Sequence, residues 1–76
     1  MDISYNGQTL RLGSRPHFVQ YEDGTRRWER MVLAHPSEHV TLYETYVDGN
    51  DSSLDAACER LCRRVKEVGD GTPTRS

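Results

Sequence analysis

Two histidines and two cysteines, His35-x3-His39 and Cys58-x3-Cys62, are the side chains with the most chemistry in this sequence. Two imidazoles and two thiolates form the borderline-soft donor set that tetrahedral zinc takes. Their context argues against a shared ion. Cysteines at i and i+4 of one helix can share a metal, but His35 falls at a loop start and His39 at a strand start. Neither pair shows the order or the knuckle glycines of a zinc finger. The competing reading makes Cys58 a small core hydrophobe, puts Cys62 at the edge of an apolar stripe and leaves both histidines at the surface. No metal and no other cofactor is expected. Nor is the chain expected to be an enzyme, because a cysteine or serine with a histidine elsewhere is no constellation without an activating neighbour.

Arginine offers a second kind of chemistry. The run Arg26-Arg27-Trp28-Glu29-Arg30, with Tyr21 across a turn, combines guanidinium groups with stacking rings, the set that holds single-stranded nucleic acid. The formal net charge is -2, and its distribution is uneven. Residues 1–30 carry a net +1, residues 31–57 a net -5 with no lysine or arginine at all, and residues 58–76 a net +2. The acidic stretch holds Glu38, Glu44, Asp48, Asp51 and Asp55. Unless arginines fold across it, its uncompensated field steers a basic partner. Tyr43 and Tyr46 point to opposite faces of one strand there, so one of them is expected to stay exposed as an interface anchor. The cations Arg60, Arg63, Arg64 and Lys66 have an ordinary explanation on the polar side of a helix, where they complement its C-terminal dipole.

The elements that must position these groups follow from turn chemistry and periodicity. Asn6-Gly7 is a strong type I′ hairpin signal, and a two-residue loop sets Tyr5 opposite Gln8 and Ile3 opposite Leu10. After a break at Gly13-Ser14-Arg15-Pro16, Asp23-Gly24 repeats that chemistry between His17–Glu22 and Thr25–Ala34. With a two-residue loop, Tyr21 faces Arg26 and Val19 faces Trp28, which turns Trp28 inward beside Val19, Tyr21 and Val32. Phe18, Met31 and Leu33 then fall on the polar side, so a bulge or a second partly covered face is expected. His39–Val47 reads as a strand with apolar residues on both faces. Ser52 or Ser53 caps a helix in which Leu54, Ala57, Cys58, Leu61, Val65 and Val68 recur at helical spacing, with Gly69 placed to end it.

The fold expected is α+β: an antiparallel β-meander of about four strands followed by one C-terminal amphipathic helix packed through Leu54, Leu61 and Val65 on Trp28, Val19 and Ile3. Residues 1–69 form a single domain and 70–76 a flexible tail. A chain of 76 residues buries roughly 60% of its unfolded surface, which leaves stability marginal and makes a homodimer or a partner useful. Cysteines four apart on one helix are poorly placed for a mutual disulfide, and neither a signal-peptide pattern nor a membrane-spanning run is present, so a cytoplasmic protein with no membrane association is expected. Its function is read as a small non-enzymatic protein-binding module, an adaptor or inhibitor of the phage or mobile-element kind. Glu44, Asp48, Asp51, Tyr43 and Tyr46 make the contact. The alternative is single-stranded nucleic-acid binding through Tyr21, Arg26, Arg27 and Arg30.

Overall fold

Positive φ at two consecutive residues starts the fold. In a computed structural model that describes residues 1–69, Asn6 and Gly7 take φ values of 50° and 77°. They join β1 (Asp2–Tyr5) to β2 (Gln8–Leu12) in the expected register, with Tyr5 opposite Gln8 and Ile3 opposite Leu10. The tail assigned to 70–76 lies outside the described residues.

The Gly13–Pro16 break bends the chain without reversing it. β3 (His17–Gln20) therefore runs on in the direction of β2, and both lie antiparallel along the same edge of the long strand β4 (Arg26–Ser37). Gly13 bridges them by donating its N–H to the Met31 carbonyl at 2.7 Å. β5 (Val40–Val47) pairs with the other edge of β4, and a bulge between Ala34 and Ser37 accommodates Pro36, which has no N–H to donate. The result is a five-stranded antiparallel sheet in which β1, β3 and β5 are the edges.

The second hairpin departs from the expected register. Tyr21–Thr25 forms a five-residue loop: Gly24 N–H donates to the Tyr21 carbonyl at 2.9 Å and Tyr21 N–H to the Thr25 carbonyl at 2.8 Å. Gly24 sits at φ 89°, the left-handed position that closes a type I turn with a bulge, and Asp23 accepts from the Thr25 N–H at 2.8 Å. A two-residue loop has no room for that bulge. Gln20 consequently pairs with Arg26, Val19 with Arg27 and Phe18 with Trp28, one residue away from the expected pairing. A one-residue shift moves every side chain to the opposite face. Val19 therefore goes to the side of the sheet opposite the helix and Phe18 takes its place beside Trp28, which stays on the helix side but is 53% exposed.

α1 (Asp51–Gly69) begins two or three residues earlier than the serines suggest. The Asn50 side chain caps it, accepting from Ser53 N–H at 2.9 Å, while Ser53 Oγ accepts from Val47 N–H and ties the helix start to the end of β5. Helix and sheet bury Leu10, Val32, Ala34, Tyr46, Ala57, Cys58, Leu61 and Val65, flanked by Ile3, Tyr5, Leu12, Leu42, Leu54 and Cys62. Of the expected counterparts to the helix, Ile3 takes part, whereas Leu10, Val32, Ala34 and Tyr46 replace Trp28 and Val19. Val68 is exposed, past the end of the packed stripe.

Candidate functional site

Residues directly opposite one another in an antiparallel sheet share a face, so the buried positions sort the whole sheet. Val32, Ala34, Leu10 and Tyr46 mark the helix side. Glu44, opposite Val32, is on that side as well and meets the polar flank of α1. Arg60 Nε donates to Glu44 Oε1 at 2.8 Å and Arg64 to Oε2 at 2.9 Å; Arg64 also reaches the Tyr43 carbonyl on the outer edge of β5. Partial burial on its own raises the Glu44 carboxyl, but the hydrogen bonds and charges of the two guanidinium groups outweigh it and hold the group below the usual carboxylate range. Asp48 accepts from Arg30 Nε at 2.6 Å, and Arg30 also donates to the carbonyls of Gly13 and Ser14. Asp51 stands in the first turn of α1, where a carboxylate complements the positive end of the helix dipole. Arginines from β4 and α1 do fold across the acidic segment, so Glu44 and Asp48 are locally compensated. Tyr46 is 7% exposed and belongs to the core; Tyr43 is 54% exposed on the opposite face.

The arginine set is divided between the two faces. Arg26 and Arg30 are on the helix side. Tyr21 and Arg27 are on the open side, where Arg27 lies over the Tyr21 ring at 4.6 Å from its centroid. Both donate to Glu29, a carboxylate only 7% exposed, with Arg27 Nε at 3.0 Å. Of the three arginines among the proposed nucleic-acid contacts, Arg26 alone is in no ion pair among the described residues.

The register shift brings together a site that the turn reading concealed. Phe18 and Trp28, directly opposite one another, pack with ring centroids 5.3 Å apart. They remain 55% and 53% exposed, on the helix side of the sheet but short of the helix. Arg30, two residues along β4 from Trp28 on the same face, and Asp48, whose N–H donates to the Trp28 carbonyl, line a recess of about 380 Å³ together with Met1, Leu12, Gly13, Ser14 and Tyr46. The sequence carried a signal for it. In the alternative register Phe18 joins Trp28 on one face while Val19 joins Met31 and Leu33 on the other, which removes the misfit of Phe18 and gathers the remaining apolar residues into a second face.

The metal candidates are apart in the structure. His35 Nδ1 lies 3.1 Å from Thr41 Oγ1 and His39 contacts Glu38, whereas Cys58 and Cys62 face the sheet from α1. No group of three or more His, Cys, Asp or Glu side chains able to hold a metal ion occurs among the described residues. Burial raises both thiols, with the Cys62 and Asp55 charges adding to the effect at Cys58. This is the opposite direction from an activated nucleophile. Among the described residues no helix is long and apolar enough to cross a membrane. Comparisons with protein-family models, curated proteins and solved structures give no match.

Proposed function

We propose that this chain is a small non-enzymatic protein-binding module, an adaptor or inhibitor, whose contact is centred on Phe18 and Trp28. The observation that carries this reading is the exposure of an aromatic pair beside a recess. Two large rings already packed against each other lose little freedom on binding, and aromatic anchors in a desolvated pocket dominate protein interfaces. The Arg30–Asp48 ion pair gives the recess a polar rim, and Met1, Leu12 and Tyr46 give it its apolar lining. Asp48 and Tyr46 keep a place in this contact as wall residues. Glu44, held by two arginines, serves the fold. Free cysteines support a reducing, cytoplasmic setting.

The nucleic-acid reading has one observation in its favour, the placement of Arg26 on the same face as Phe18 and Trp28. Within the proposed set one arginine outside any ion pair among the described residues supplies little of the phosphate neutralisation that such binding needs, and the net charge is negative. The test is capture from the native host with the wild-type chain and with Phe18→Ala/Trp28→Ala as bait, after nuclease treatment. A discrete protein held by the wild type and lost by the folded variant supports the proposal. A bait that instead retains nucleic acid, with affinity falling steeply as salt rises, overturns it.

A further inference from the structure

The sheet has a second face that no helix among the described residues covers. Opposite the helix, β4 presents Arg27, Glu29, Met31 and Leu33, β5 presents Tyr43, Thr45 and Val47, and His17, Val19, Arg11 and Asp2 lie on the same side, with Tyr21 beside Arg27 and Glu29. Its centre is apolar. Met31, Leu33, Val19 and Val47 are half-buried with no helix above them, and Tyr43 stands exposed among them.

We propose that this open face is the interface of a homodimer, closed by the same face of a second copy. Charge argues for that occupant. Although the whole chain carries -2, this face carries no net charge: Asp2 pairs with Arg11 at 3.4 Å and Glu29 with Arg27 at 3.0 Å, one pair towards each end of the apolar centre. An identical face is the partner to which such a surface brings no unmatched charge in either strand direction, whereas a strongly acidic or basic partner gains nothing from it. Size argues the same way. Four strands abreast at about 4.8 Å spacing, with β4 about 40 Å long, offer on the order of 600 Å² per copy. Two copies then bury on the order of 1,200 Å², which reaches the range of stable specific interfaces. Need argues a third time, since among the described residues eight make up the buried core and a sheet-on-sheet contact adds a second apolar layer.

Sedimentation equilibrium of the full chain, from micromolar to near-millimolar concentration, tests this directly. The wild type should reach twice its 8.7 kDa mass, with a melting temperature that rises with concentration. Tyr43→Glu/Thr45→Glu places four carboxylates across the two-fold at exposed positions and should weaken association by about tenfold or more while the circular dichroism stays native. Should the double variant unfold, Thr45→Glu alone provides the same readout. Trp28→Ala, on the other face, should leave the dimer intact. A wild type that stays at 8.7 kDa throughout overturns the inference. So does a dimer that Trp28→Ala dissociates and Tyr43→Glu/Thr45→Glu does not. Neither result bears on partner capture through Phe18 and Trp28.

Discussion

Glu44 shows how one side chain changes meaning between the sequence and the fold. Along the chain it belongs to a stretch of five carboxylates with no cation, but in space it accepts from Arg60 and Arg64 of the helix packed on its own strand. Its carboxyl is depressed in the folded state, so ionisation and folding reinforce one another. The sign follows. Its contribution is complete above the unfolded glutamate value of about 4.3 and is lost as pH falls through the lower folded value. Glu44→Gln should therefore lower stability at neutral pH and flatten the loss on acidification, as read from urea midpoints between neutral and acid pH. An unchanged acid limb would show that the two arginines do not hold the charged form. Asp48 is tied to Arg30 in the same manner, and neither pairing was legible, because i to i+16 and i to i+18 partners depend on strand register and helix placement.

The elements themselves were largely legible. Asn6-Gly7 dictates a two-residue loop because it supplies left-handed conformations at both central positions, and the apolar stripe of α1 is long enough to define its buried face without knowledge of the sheet. Leu61 is fully buried at the middle of that stripe, so Leu61→Ala should cost about 2–5 kcal/mol, seen as a large fall in melting temperature. A melting temperature equal to the parent's would contradict the packing. Asp23-Gly24 was ambiguous at the same level. The dipeptide serves a type I′ loop and a type I turn with a glycine bulge equally well, and the two differ by the one residue that decides whether Val19 or Phe18 shares the face of Trp28. Helix capping was ambiguous in the same way, with Asn50, Ser52 and Ser53 all competent and the contact between Ser53 and Val47 N–H deciding among them.

At the scale of the whole molecule, one helix covers one face of a five-stranded sheet and leaves two apolar surfaces on opposite sides. The Phe18–Trp28 pair is small, aromatic and bordered by a polar recess, which suits a partner's side chains. The face around Met31, Leu33 and Tyr43 is broad and carries no net charge, which suits a second copy. The pair was hidden from the sequence by a single register error, while the broad face was foreshadowed by the misfit of Met31 and Leu33. Trp28 is the chain's one tryptophan, and its exposure makes it a reporter on the surface assigned to the partner. The central claim is tested most directly by its fluorescence as the captured partner is titrated in. The account predicts the long-wavelength emission of a solvated indole in the free chain, shifting to shorter wavelength in proportion to complex formed, with Tyr43→Glu/Thr45→Glu giving the same shift. A saturated complex in which Trp28 emission matches that of the free chain would contradict it.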